Sequence, residues 1–144
     1  MSDFSEITIN TDGGSRGNPG PSAIGVILKS GNQKIGEISE YLGITTNNVA
    51  EYTAVIKALD YLVQNKIMAD HLLFVLDSEL VVKQINGLYK VKLPHLRELN
   101  QKIKNQISNL ILQKQIQKVT FVNVLREKNK EADALVNSCL DSQK

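Results

Sequence analysis

The stretch "ITINTDGGSRGNPGPSAIGVIL", residues 7–28, decides the fold. Residues 6–12 alternate apolar and polar as a half-buried strand does, and a stretch crowded with Gly, Pro, Ser and Asn separates them from a second apolar run, "AIGVILKS" at 23–30. With "KIGEISEYL" at 34–42 that run reads as a hairpin closed by Ser30, Gly31 and Asn32, so three antiparallel strands open the chain. Asp12 ends the first strand and Gly13 follows it. Asp-Gly is among the commonest turn pairs, so Asp12 alone reads as a turn residue more readily than as a functional carboxylate.

Downstream, "TTNNVAEYTAVIKALDYLVQN" at 45–65 places Tyr52, Val55, Ile56, Leu59, Leu62 and Val63 at helical spacing behind a Thr/Asn cap. "HLLFVL" at 71–76 is a nearly continuous apolar run, the pattern of a strand covered on both faces. A short helix, "SELVVKQIN", follows it. A longer helix runs from about Leu96 to Leu112 after Pro94, a strand passes through "KVTFVNVL", and a last helix starts near Asn129. The expected order is βββαβααβα.

The 144 residues are expected to form a single domain, 1–144, since 42% hydrophobic and 22% charged residues supply enough apolar surface for one core. Cys139 is the only cysteine, so no disulfide within the chain is expected. The start "MSDFSEI" lacks a basic-then-apolar leader and no apolar run reaches membrane-spanning length, which predicts a soluble, cytoplasmic protein without membrane association. Net charge is +2, but unevenly spread. Between Lys83 and Lys130 stand eleven Lys and Arg against Glu98 and Glu127 alone, a distribution that suits either a solvated face or docking on phosphates.

In mixed sheets flanked by helices, ligands bind beyond the carboxyl ends of the parallel strands. Four acidic residues arrive there: Asp12 and Asp77 at strand ends, Glu51 and Asp133 in the first turns of helices. Each has a plain local alternative, namely a turn for Asp12, a capping box with Asn48 for Glu51, a helix cap for Asp77 and a favourable helix dipole for Asp133. Together they make a cluster of like charge that is unstable unless a cation neutralises it. Mg²⁺ takes oxygen ligands and retains water and phosphate in its shell, and a pair of such ions can activate water and stabilise the leaving oxygen of a phosphodiester. Asp12 then reads as the ligand bridging two ions.

The segments "TDGGSRGNPGP", "TTNNVAEYTAVIKAL", "DSELVVKQINGLYKVK" and "REKNKEADALVN" resemble, in order, the four signature blocks of type 1 ribonuclease H. The resemblance covers nearly the whole chain. It implies an α/β ribonuclease H-like fold whose five-stranded mixed sheet has the order 3-2-1-4-5 and is flanked by helices. It implies a metal-dependent enzyme, with Mg²⁺ as cofactor (two ions, Mn²⁺ as substitute), that cleaves RNA paired to DNA and leaves 3′-hydroxyl and 5′-phosphate ends. The family's four carboxylates fall on Asp12, Glu51, Asp77 and Asp133. Contacts to the RNA/DNA hybrid fall on Asn18, Asn47 and Asn48, with Thr46 as a phosphate ligand and Lys90 and Lys92 in "GLYKVKLP" as the remaining basic grip.

Many relatives carry a catalytic-loop histidine before the last aspartate. Here that loop reads "VLREKNKEAD", leaving Arg126 or Glu127 to substitute, while His71 and His95 lie elsewhere with structural roles expected. The chain has no Trp, no long basic insertion after Asp77 and no separate hybrid-binding domain. Alternative readings are a superfamily relative cutting double-stranded RNA or DNA, and a non-catalytic hybrid-binding module, against which the intact carboxylate set argues. No obligate protein partner is evident, and a monomer is the default expectation.

Overall fold

A computed structural model of the chain describes residues 3–143. Its elements are β1 (Phe4–Ser15), β2 (Gly20–Ser30), β3 (Gln33–Thr45), α1 (Asn47–Gln64), β4 (Ala69–Leu76), α2 (Glu79–Ile85), α3 (Pro94–Leu112), β5 (Ile116–Asn123), a 3-10 turn at Arg126–Lys128, and α4 (Lys130–Asp141). The five strands form one sheet in the order β3-β2-β1-β4-β5, antiparallel across β3, β2 and β1 and parallel across β1, β4 and β5. Order and topology match the sequence expectation.

The alternation of β1 and β2 sends Ile7, Ile9, Ile24, Val26 and Leu28 to one face, where they meet Tyr52, Val55 and Leu59 of α1. α3 adds Leu96, Ile103 and Leu110 to this core, and the rings of Phe74 and Phe121 stack with centroids 4.7 Å apart. α4 covers the opposite face, packing on β1, β2 and β3, with Val136 and Leu140 against Ala23. Val63, assigned to the apolar stripe of α1 by spacing, is half exposed near the end of that helix.

Three expectations change. β1 does not end at Asp12 but runs on to Ser15, because β2 remains its partner as far as Ser15↔Ser22. What ends early is the parallel ladder, whose last pair is Asn10↔Val75. Asp12 therefore stands two residues past the point where β1 parts from β4. Next, β4 is not covered equally on both faces: Leu72, Phe74 and Leu76 are buried, whereas Leu73 and Val75 are half-buried because α4 lies over β1–β3. Finally, β5 is shifted toward the amino end relative to "KVTFVNVL", and Leu125 lies outside the sheet and exposed. No helix among the described residues is long and apolar enough to cross a membrane.

Candidate active site

Two glycines let helices from opposite faces close on Asp12. A Cβ at Gly13 would lie 2.3 Å from the Ala50 carbonyl carbon and 2.5 Å from the Glu51 nitrogen, so only glycine allows α1 to rest against β1 there. Gly25, directly across the ladder from Asp12, lies under α4 in the same way: a Cβ would lie 2.3 Å from the Ala132 carbonyl oxygen, one residue before Asp133. Glu51 is thereby brought to one side of Asp12 and Asp133 to the other, while Asp77 follows the last residue of β4.

Asp12, Glu51 and Asp77 each place a carboxylate oxygen within 4.8 Å of the others. Asp12 is 4% exposed and Glu51 6%. The Gly13 N–H donates to Glu51 Oε1 at 2.8 Å, which fixes the side chain, yet Glu51 Oε2 and Asp77 Oδ2 are buried without any hydrogen-bond partner. Such atoms are costly to bury and ordinarily mark a missing partner. Asp133 is half-buried in the first turn of α4, beside Asp12, with its carboxylate accepting from Asn137 Nδ2 at 3.3 Å.

Burial pushes the Asp12 carboxyl up to about 7, with Asp77 and Asp133 adding to the rise. Burial likewise holds Glu51 well above the usual carboxylate range, reinforced by the charge of Asp12. Asp77 is raised by burial, against the Arg126 guanidinium and the Asn129 amide, which draw it down. Four carboxylates gather here, and of the two arginines lining the same cleft Arg16 pairs with Asp141 while Arg126 draws on Asp77, so acids outnumber cations. Oxygen-only donors, buried lone pairs and surplus charge fit a hard divalent cation, and Asp12, Glu51 and Asp77 are the residues that would hold it.

The local alternatives for Glu51 and Asp77 fail on geometry, whereas Asp133 does stand in the first turn of α4, where a carboxylate suits the helix dipole. The cap of α1 is Thr46, whose Oγ1 accepts from the Val49 N–H at 3.3 Å, so Glu51 is too far along the helix for a capping box. Ser78, not Asp77, caps α2.

Asn18 and Asn47 are joined at the rim. Asn47 Oδ1 accepts from the Ser15 N–H at 2.9 Å, and Asn18 Oδ1 accepts from the Asn47 N–H at 3.0 Å, tying the loop after β1 to the start of α1. Asn47, Arg126, Asp12 and Asp133 line one cleft of about 190 Å³. Asn48 opens instead onto a larger groove of about 490 Å³, whose walls include Lys90, Lys92, Tyr89 and Leu88. Glu127 is not brought to the carboxylates; it lines a separate cavity with Lys29 and Glu131. His71 bridges Glu6 and Thr120 at 2.8 Å on each side, and His95 lies in the first turn of α3, away from the cluster.

Sequence reasoning missed Asn129 and Asn10. Asn129 is 1% exposed, its Nδ2 donating to the Thr11 carbonyl at 2.9 Å and its Oδ1 accepting from Asn10 Nδ2 at 3.0 Å. The only sequence signal was Asn10 itself, an amide in an otherwise good strand, where asparagine is disfavoured.

The reverse transcriptase-like family matches this chain over residues 10–139. A bifunctional protein of Mycobacterium tuberculosis is 36% identical over 139 residues, covering 95% of this chain and 36% of that protein. The chain thus spans about a third of the length of that curated relative. The RNase H1 of the halophilic archaeon Halobacterium salinarum superimposes with a TM-score of 0.85 at 34% identity, covering 95% of this chain and 98% of that one. LC11-RNase H1, isolated from compost, was solved in complex with an RNA/DNA hybrid; it gives a TM-score of 0.82 at 42% identity over 95% of this chain and 98% of its own.

Proposed function

Since the chain belongs to the type 1 ribonuclease H family, we propose that it is a metal-dependent endonuclease that hydrolyses the RNA strand of RNA/DNA hybrids. The observation that carries this is the convergence of Asp12, Glu51 and Asp77, with two buried carboxylate oxygens left bare. Two Mg²⁺ ions, or Mn²⁺ in their place, supply when bound the charge that lowers the pKa of a water and stabilises the leaving oxygen.

The residues of the chain do the rest. Asp12, Glu51, Asp77 and Asp133 hold the catalytic centre and set its charge. Water adds to the scissile phosphorus, the P–O3′ bond breaks, and the products are a 5′-phosphate and a 3′-hydroxyl. Arg126, at the mouth of the cleft and near enough to Asp77 to draw its carboxyl down, steadies charge on the departing oxygen in place of the family's histidine. Glu127, turned to another cavity, has no such part.

Asn47 and Asn48 stand within one helical turn of Glu51, and Asn18 is tied to Asn47 by its side chain; together they read the sugar edge of a shallow, A-like minor groove lined by 2′-hydroxyls. Thr46 holds that corner by capping α1 and offers its hydroxyl to a phosphate. Lys90 and Lys92 hold the backbone phosphates of the hybrid along the larger groove. The enzyme works on this duplex as a monomer in the cytoplasm.

The test is cleavage of an end-labelled hybrid beside matched RNA/RNA and DNA/DNA duplexes in Mg²⁺. Cutting confined to the RNA strand of the hybrid is expected. Equal cutting of either matched duplex would move the protein to another branch of the superfamily, and absence of cutting in all three would leave a binding module.

A further inference from the structure

Asparagine is a favoured helix cap, and Asn129 occupies the cap position of α4. Its side chain makes no cap hydrogen bond. The amide turns instead to β1, where Nδ2 donates to the Thr11 carbonyl at 2.9 Å. Thr11 lies between Asn10, the last residue of β1 paired with β4, and Asp12. The backbone carbonyl of Asn129 accepts the N–H of Asp133 at 3.1 Å. One buried residue therefore ties the strand segment that carries Asp12 to the helical turn that carries Asp133.

Asn10 supplies the fourth corner. It shares the α4-facing side of β1 with Asp12, two residues on, and its Nδ2 donates to Asn129 Oδ1 at 3.0 Å. An amide has a donor end and an acceptor end of nearly equal shape, so its sense must be set by its neighbours. A carbonyl at Thr11 takes the donor end and a donor at Asn10 takes the acceptor end.

We propose that the Asn10–Asn129 amide pair is a positioning device that holds the strand bearing Asp12 and the turn bearing Asp133 in a single frame. It rests on the proposed metal-dependent cleavage. Neither asparagine touches substrate; both act through the carboxylates. Residues of this kind, standing behind metal ligands, change metal affinity or activity by about tenfold to a hundredfold when altered.

Asn129→Ala, Asn129→Asp and Asn10→Ala should be compared with the wild-type chain by three measurements: Tm in chelator, Mn²⁺ affinity by calorimetry without nucleic acid, and kcat and KM on a hybrid. Asn129→Ala is expected to weaken Mn²⁺ binding and lower kcat by about tenfold or more, with KM nearly unchanged. Asn129→Asp, of the same shape but without a donor, should do at least as much, and Asn10→Ala should move both quantities the same way by less. Should Asn129→Ala fail to fold, Asn10→Ala still decides the matter. Lower Tm with unchanged Mn²⁺ affinity and kcat, measured well below Tm, would show a merely structural pair and overturn the proposal. A wild type that neither binds Mn²⁺ nor cuts hybrid overturns the functional reading itself, and the positioning role with it.

Discussion

Asp12→Asn in the absence of divalent ions should stabilise the protein at neutral pH. In the folded chain the Asp12 carboxyl titrates at about 7 instead of 3.8, because burial and the neighbouring carboxylates disfavour its charge. The folded state thus keeps a proton that the unfolded state releases above about pH 4. Stability is full below that pH and falls as pH rises through the folded value. Over this window the loss is about 4 kcal/mol at about 1.4 kcal/mol per pH unit, and this is a ceiling because neighbouring acids share the proton. Glu51 and Asp77, both raised, slope in the same direction. For a chain of this size the ceiling corresponds to roughly 10 °C in Tm. The assay is thermal unfolding in chelator from pH 4.5 to 8, for wild type and Asp12→Asn. Wild-type Tm should fall toward pH 7.5, the variant should fall less and melt higher at the top of the range, and excess Mg²⁺ should raise the wild type far more than the variant. Equal slopes with a lower-melting variant would refute the account of the site as a repulsive carboxylate cluster.

Further outcomes follow from the same geometry. Lys90→Ala with Lys92→Ala should weaken hybrid binding and flatten its dependence on salt, by up to ~0.9 in log-log slope for each lost phosphate contact, with kcat at saturation little changed; an unaltered slope would make these lysines a solvated face. Arg126→Ala should lower kcat by about tenfold or more with KM nearly constant, as expected for a group that acts on developing charge; unchanged kcat removes it from the chemistry. Asn47→Ala with Asn48→Ala should raise KM for hybrid severalfold while Tm shifts by about the worth of a local hydrogen bond, since Thr46 and not either asparagine caps α1. A KM equal to that of wild type would leave the reading of the minor groove to other residues.

The parts of this molecule that were legible in the sequence are those written in short-range pattern. Alternation at 6–12, the helical spacing after Thr46 and the apolar run at 71–76 give the element order directly. The carboxylates could be placed at one edge because Asp77 follows the end of β4, Glu51 and Asp133 lie in the opening turns of α1 and α4, and Asp12 lies just past the point where β1 parts from β4. The parts that were not legible depend on registers between distant segments. Asn10 and Asn129 are 119 positions apart, and neither carries a local pattern that announces the other. The run of β1 past Asp12 depends on whether β2 or β4 stays paired with it, which alternation within β1 does not encode. Thr46 reads equally as a cap or a phosphate ligand until the start of α1 is known. Glu127 follows the same logic: adjacent to Arg126 in sequence, it turns to another cavity because the 3-10 turn sends successive side chains in different directions.

Charge and geometry at this site can be separated because they act on stability with opposite signs. The carboxylates repel one another and lower the stability of the metal-free fold, so neutralising one should raise Tm. Gly13 and Gly25 carry no charge, yet each sits where a Cβ would be 2.3 Å from the backbone of the helix that bears a neighbouring acid. Gly25→Ala must push α4 away from β2, and overpacking of this kind destabilises by about 1–3 kcal/mol. It also moves Ala132, and with it Asp133, away from Asp12. Both Asp12→Asn and Gly25→Ala should therefore abolish or nearly abolish cleavage, the first with a higher Tm in chelator and the second with a lower one. Gly36→Ala provides the comparison, since its Cβ would meet the Tyr61 hydroxyl at 2.7 Å and its ring at 2.8 Å, remote from the carboxylates: Tm should fall and cleavage persist. If Gly25→Ala keeps full activity despite its lost stability, the close seating of α4 on β2 is not what places Asp133, and the fourth carboxylate is held by some other contact.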